Sequence, residues 1–157
     1  MLPLPRPKMK ETVKKQIEAA SINDAFALLK ERRDNDALAI FETILLTQPD
    51  NLHALWGKAE VLRRNRDYGE SEGLLGRILS VNPEYIPAMI SMSYIKYKHD
   101  DLGQALRLIK RVLKMESLET DNQAIAYMML GSINSRRSER GWIFGKLAYG
   151  TQIKGYF

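Results

Sequence analysis

Residues 55–83 read LWGKAEVLRRNRDYGESEGLLGRILSVNP. Two segments rich in apolar residues flank a short polar break at Asn65-Arg66-Asp67, and Pro83 follows the second segment. The small residues Ala59 and Ser71 stand where two helices would cross closely, with large residues beside them to fill the remaining space. Because proline cannot continue a helix, the segment predicts one antiparallel helix pair that stops before Pro83.

The same pattern recurs along the chain with a period of about 34 residues. Pro49 lies one period before Pro83, and Ser117 lies one period after it. Five further positions of the repeat match in residue type across three units. Two are small: Ala25, Ala59 and Ser93, and Ala37, Ser71 and Ala105. Two are large, Phe41, Leu75 and Ile109, and Ile44, Ile78 and Val112, and one is polar, Arg33, Asp67 and Asp101. One helix pair cannot bury its apolar face alone, so the repetition predicts a stack of pairs.

These residues resemble the tetratricopeptide repeat family over roughly residues 18 to 157. The second repeat matches best, at Leu55, Ala59, Leu62, Asp67, Tyr68, Ser71, Leu75, Ile78 and Pro83. Departures include Ser21 and Asp24 in columns that are usually large and apolar, Lys96 where an aromatic is usual, and Ser117 in place of proline. The resemblance implies an all-α, right-handed superhelical solenoid of antiparallel helix pairs, with three full repeats and an incomplete or divergent fourth.

The expected organisation is a flexible proline-rich arm at 1–10 and a repeat domain at 11–157, with repeats at about 18–51, 52–85, 86–119 and 124–157. The fourth repeat fits if about four residues are inserted near 118–121, which aligns Tyr127, Leu130 and Gly131 with the opening of a repeat. Its second helix would run from about Glu139 towards Phe157. Glycines in that segment predict a bent or frayed helix, since each costs about 1 kcal/mol relative to alanine.

Composition narrows the functional classes. The chain has no cysteine, which excludes disulfides and thiolate metal sites, and its two histidines, His53 and His99, are interpreted as surface residues. The net charge of +5 is spread along the chain among 19 acidic residues, so no nucleic-acid partner is expected. No apolar run approaches the roughly 20 residues that span a bilayer. The N-terminal residues lack the apolar stretch of a secretory signal, which favours the cytoplasm.

No catalytic constellation stands out in the sequence. It contains neither a phosphate-binding glycine loop nor a G-x-S-x-G motif, and its carboxylates fall at turns and on solvated faces, where capping explains them. We therefore predict a non-enzymatic protein with no cofactor, no metal and no catalytic residue.

The resemblance implies that the first helix of each pair lines a concave groove. Projection of those helices predicts the following partner-binding residues: Phe26, Trp56, Arg63, Arg64, Ile90, Tyr94, Tyr97, Lys98, Met128 and Arg136. Aromatic residues and arginine dominate binding hot spots, so the set suits a protein or peptide with apolar anchors and some acidic character. The alternative for Phe26 and Trp56 is packing between adjacent repeats.

One subclass of the family grips the carboxylate end of heat-shock chaperone tails with lysines and asparagines. The matching columns here hold Ile22, Phe26, Gly57, Pro87 and Ser91, which cannot form that clamp. The sequence thus predicts a protein-binding scaffold with a different ligand. Two alternatives stay open: a homo-oligomeric assembly module that uses its uncapped C-terminal helices, and a small secretion-type chaperone.

Overall fold

The computed structural model describes residues 22–116 and 118–152, and their side chains as far as Gly141. This part of the chain contains seven α-helices and no strand: α1 (Ile22–Lys30), α2 (Asp34–Thr47), α3 (Leu52–Arg64), α4 (Tyr68–Val81), α5 (Ile86–Lys98), α6 (Leu102–Val112) and α7 (Thr120–Gln152). Two compact units divide within α5, between Ala88 and Met89. The all-α class with helix pairs is confirmed, whereas the predicted arm at 1–10 lies outside the described residues.

The small residues lie where the two helices of a pair cross. All six positions predicted for this role are fully buried: Ala25, Ala37, Ala59, Ser71, Ser93 and Ala105. In the second pair the Ser71 hydroxyl donates to the Ala59 carbonyl at 2.8 Å, and in the third pair the Ser93 hydroxyl donates to the Ala105 carbonyl at 3.0 Å. The donor serine lies on the second helix of the second pair but on the first helix of the third pair. Both hydrogen bonds join residues that are 12 positions apart in the sequence.

The turn within each pair has the same backbone conformation. Arg32, Arg66 and Asp100, each one period after the last, have φ values of 64°, 69° and 66°. In the second turn the Asp67 amide donates to the Leu62 carbonyl and the Arg66 amide to the Arg63 carbonyl, and the other two turns repeat these bonds. This arrangement ends a helix with one left-handed residue. The period of the sequence is therefore also a period of the backbone.

Short links separate consecutive pairs and contain Pro49 and Pro83. Asn51 caps the start of α3, because its side-chain oxygen accepts from the Ala54 amide at 3.0 Å. Within the third pair, Asp101 caps α6 in the same way through the Gln104 amide at 3.0 Å.

α7 differs from the predicted fourth repeat. One continuous helix runs from Thr120 to Gln152, so the expectation of a separate second helix beginning near Glu139 is wrong. The reason is local: the segment from Ser135 to Arg140 contains no proline or glycine that would end a helix, and isolated glycines beyond it weaken a helix without stopping it. Among the described residues no helix is long and apolar enough to cross a membrane.

Candidate functional site

An aromatic cluster lies in the first unit, formed by Phe26, Phe41 and Trp56. The ring of Phe26 lies 5.2 Å from that of Phe41 and 5.3 Å from that of Trp56, centroid to centroid. Phe41 is fully buried, while Phe26 and Trp56 are half-buried. The two predicted aromatics therefore contact each other, and Phe26 also packs against the buried Phe41 ring. Packing within the repeats and a surface open to a ligand are both present in this cluster.

Gly57 allows the close approach of α3 to this cluster. A Cβ atom at that position would stand 2.5 Å from Cε2 of Phe41 and closer still to two other ring atoms. Ordinary contacts to a Cβ begin at about 3.4 Å. The missing side chain thus leaves room for the Phe41 ring, and this ring in turn supports Phe26.

Both arginines predicted beside the cluster are engaged with carboxylates. Arg63 forms two 2.9 Å hydrogen bonds with Glu60 on the same helix. Arg64 donates through Nη1 to Asp34 at 2.6 Å and to the Leu29 carbonyl at 2.8 Å. These contacts offset part of the positive charge that the sequence suggested for this surface.

In the second unit the predicted residues form two pairs. The Lys98 ammonium lies 5.2 Å from the centroid of the Tyr94 ring, and the Arg136 guanidinium lies 3.9 Å from the centroid of Tyr97. Both distances suit cation–π attraction. Arg136 also donates to the Tyr97 carbonyl at 3.0 Å.

Ile90 and Met128, the two aliphatic members of the predicted set, differ in exposure. Ile90 is buried in α5, and Met128 is exposed on α7. The structure therefore leaves Ile90 little surface to offer a ligand, whereas Met128 is accessible.

Arg64 and Arg136 make equivalent hydrogen bonds in different units, each to a backbone carbonyl at the end of an earlier helix. Leu29 and Tyr97 are equivalent positions, two periods apart, and each offers its carbonyl at the end of a first helix. Arg64 and Arg136 are equivalent once the insertion of four residues is included. Each arginine ties its own helix to the C-terminal end of an earlier one, where a cation is also favoured by the helix dipole.

A further pair, His53 with Tyr85, was not predicted as a unit. The Tyr85 hydroxyl lies 2.9 Å from His53 Nδ1, and the two rings meet edge to face with centroids 5.8 Å apart. Burial raises the pKa of Tyr85 from 10.0 to about 12. Tyr85 lies in the link between α4 and α5, outside the matched columns, so the period carries no signal for this contact.

In the part of the chain that the structure describes, no group of three or more histidine, aspartate or glutamate side chains is close enough to hold a metal ion. The arrangement is suited to contact with another molecule through aromatic and cationic side chains.

Sequence comparisons with known proteins give short, partial matches. No protein-family model matches the chain. Among curated proteins, the CTR9 homolog of Arabidopsis thaliana is 33% identical over 90 residues, and the uncharacterised protein y4yS of Sinorhizobium fredii is 34% identical over 65 residues. The matches cover 57% and 41% of this chain but only 8% and 36% of those proteins.

Solved structures give broader matches at low identity. The Hsp90 co-chaperone Cns1 of Saccharomyces cerevisiae aligns with a TM-score of 0.71 and 16% identity, over 90% of this chain and 46% of that one. The type III secretion translocator chaperone SycD of Yersinia enterocolitica aligns at 0.64 and 10%, over 79% and 85%. The TPR2B domain of yeast Sti1, solved in complex with pHsp70, aligns at 0.57 and 9%, over 77% and 98%. The chain therefore has a tetratricopeptide-type fold.

Proposed function

We propose that this chain is a non-enzymatic scaffold that binds a peptide segment of a partner protein. The observation that carries the proposal is the aromatic cluster of the first unit. Phe26 and Trp56 are half-buried with their ring centroids 5.3 Å apart, and the fully buried Phe41 packs against Phe26. A rigid aromatic surface loses little conformational freedom on binding, and tryptophan is among the residue types enriched at hot spots.

The charges near the cluster define which peptide would fit it. Arg63 and Arg64 are already paired with Glu60 and Asp34, so recognition in the first unit would rest on apolar anchors rather than on acidic groups. In the second unit Lys98 is exposed beside Tyr94, where an acidic group of the partner would be favoured. The predicted ligand is therefore an apolar peptide with limited acidic character.

The heat-shock tail clamp is not part of this proposal. The Phe41 ring fills the space beside Gly57, and Ser91 is buried in α5, so neither position offers a side chain that could grip a carboxylate. The complex of the Sti1 domain with pHsp70 supports peptide binding as a use of the fold, but its 9% identity carries no ligand over to this chain.

A peptide-display selection against the full chain tests the proposal. Trp56→Ala should weaken the selected peptides by about 2 kcal/mol, roughly thirtyfold. Leu46→Ala is the matched control, because Leu46 is an exposed apolar residue outside the cluster. If Trp56→Ala keeps both its helical circular dichroism and its affinity, Trp56 is not an anchor.

A small secretion-type chaperone is the second candidate, and the fold shared with SycD, at a TM-score of 0.64 and 10% identity, is compatible with it. Co-purification of export-system proteins with this chain would favour that role, and their absence from cells that express such a system would count against it. The cytoplasm remains the predicted compartment for either role.

Homo-oligomeric assembly through the C-terminal helix is the third candidate, favoured by the exposed apolar residues on α7, among them Ile125, Tyr127 and Met128. Light scattering of the full chain should then give the mass of two or more copies per particle. A monomer would refute this candidate.

A further inference from the structure

The first part of α7 has the residue pattern of a first helix in a repeat. Allowing for the four inserted residues, Tyr127 occupies the place of Leu55 and Met89. Gly131 likewise occupies the place of Ala59 and Ser93, the small residues at the helix crossings. α7 can therefore be compared position by position with the first helices of complete pairs.

One face of α7 is packed in the usual way. Ala126 and Ile133 are fully buried, as are their equivalents Ala54 and Val61 in α3. In the first unit, Ala54 and Val61 belong to the core cluster that includes α1 and α2. This face of α7 therefore packs against earlier helices of its own unit, as the corresponding face of α3 does.

A second face of α7, to one side of the packed one, is exposed in the part of the chain that the structure describes. Leu55 and Met89 are 3% and 1% exposed, whereas Tyr127 is 57% exposed. A Cβ atom on Gly131 would meet no other residue within 4 Å, whereas the equivalent Ala59 and Ser93 are fully buried. We name this surface, formed by Tyr127, Gly131 and Asn134, the α7 docking face.

The helix itself cannot cover this face. In complete pairs the crossing partner lies 12 residues downstream, as the bonds of Ser71 to Ala59 and of Ser93 to Ala105 show. In α7, the residue 12 positions after Gly131 lies further along the same continuous helix, about 18 Å away at 1.5 Å per residue. A covering helix has to come from outside α7.

The second helices of the complete pairs show what such a helix looks like. Each has a small residue at the crossing and large apolar residues four and seven positions later. All nine of these residues are buried: Ala37, Phe41 and Ile44; Ser71, Leu75 and Ile78; Ala105, Ile109 and Val112. The spacing places all three on one side of a helix.

We propose that the α7 docking face binds an amphipathic helix of a partner protein, antiparallel to α7. That helix presents alanine or serine over Gly131, with large apolar residues four and seven positions further on. The interface continues the packing that the chain already uses within each of its complete pairs. This surface is separate from the aromatic cluster, so the two proposals stand or fall independently.

A peptide from this chain provides the probe. Residues 99–116 contain α6 with Ala105, Ile109 and Val112 in the required pattern, and a staple between Arg107 and Arg111 on its exposed side would hold the helix. Fluorescence anisotropy with the full-length chain should show saturable binding. A peptide with Ala105→Leu should bind at least about tenfold more weakly, because a large side chain at the crossing overpacks the contact.

Variants of α7 identify the site. Gly131→Leu should weaken binding at least about tenfold, while Gly131→Ala should bind like the wild type, since alanine occupies this column in the first two pairs. Gly141→Leu is the matched control, because Gly141 is also an exposed glycine of α7 but lies outside the docking face. If Gly131→Leu disturbs the fold by circular dichroism, the Ala105→Leu peptide decides alone.

Three outcomes would overturn the proposal. One is the absence of saturable binding, and another is equal affinity of the wild-type chain and a folded Gly131→Leu variant. The third is a wild-type dimer in sedimentation that Gly131→Leu converts to monomer, since this would assign the docking face to a second copy of the chain.

Discussion

The contact between Gly57 and Phe41 yields the sharpest test of the packing in the first unit. Gly57→Ala adds a methyl group that would stand 2.5 Å or less from three atoms of the Phe41 ring. To reach an ordinary contact of 3.4 Å, the ring must withdraw by about 1 Å. Phe41 is fully buried and packs on Phe26, so the displacement would extend to the aromatic cluster.

Two effects of opposite sign determine the result. Overpacking a buried contact costs about 1–3 kcal/mol, and the upper value applies here because three ring atoms are hit at once. Replacing a glycine inside a helix by alanine gains about 1 kcal/mol. The expected net effect is a loss of about 2 kcal/mol in the free energy of unfolding, or roughly 4–8 °C in Tm for a chain of this size.

Thermal denaturation followed by circular dichroism measures this loss. Gly73→Ala is the matched control, because Gly73 lies on the exposed side of α4 with nothing near its Cβ position. It should raise stability by up to about 1 kcal/mol. The opposite signs of two identical substitutions would isolate the contact with Phe41 from helix propensity.

A double mutant completes the test. Phe41→Leu shortens the side chain that Gly57→Ala strikes, so in that background Gly57→Ala should cost little or even stabilise, a coupling of about 1–3 kcal/mol. If Gly57→Ala alone is as stable as the wild type, or if Phe41→Leu does not change its effect, the reasoning about this contact is wrong.

Three further predictions concern the turn, the titration of one tyrosine and the engaged arginines. Arg66 has a φ of 69°, so Arg66→Gly should raise the free energy of unfolding by about 0.5–1 kcal/mol, seen as a higher midpoint in urea denaturation. Asn65 has a φ of −76°, so the control Asn65→Gly should lower the free energy of unfolding. Burial favours the neutral form of Tyr85, whose pKa of about 12 exceeds the ordinary 10.0, so its contribution is fully present below pH 10 and is lost as the pH rises towards 12. The free energy of unfolding should fall more steeply between pH 9 and 11 in the wild type than in Tyr85→Phe, and parallel curves would contradict this. Arg64→Met should lower stability by about 2 kcal/mol in a thermal scan, because it removes charged hydrogen bonds to Asp34 and to a backbone carbonyl. An unchanged Tm would mean that Arg64 is free for another partner.

Features set by local spacing could be predicted from the sequence. The crossing positions, such as Ala59 and Ser71, follow from residue size at a fixed period, and all of them are buried. The location of the polar break at Arg66 was predictable as well. Its left-handed conformation was not, since glycine rather than arginine is the usual residue for such a turn.

Features that depend on side-chain partners could not be predicted. Arg64 and Arg136 were assigned to a binding surface because their columns face the expected groove, but each also bonds a carbonyl that belongs to an earlier helix pair. The pairing of His53 with Tyr85 also joins distant segments, one of them in a link. The continuity of α7 was also missed, because the repeat period predicted a turn before Glu139. The sequence there has no proline or glycine that would end the helix.

The central claim is that a partner peptide is held on the aromatic cluster, and the indole signals of the chain test it directly. The sequence contains two tryptophans, Trp56 and Trp142, so a 15N-labelled sample gives two indole N–H resonances, which Trp56→Phe assigns. Titration with a peptide selected on the full chain should shift or broaden the Trp56 resonance in proportion to occupancy. Saturable binding that leaves the Trp56 resonance unmoved would contradict the claim.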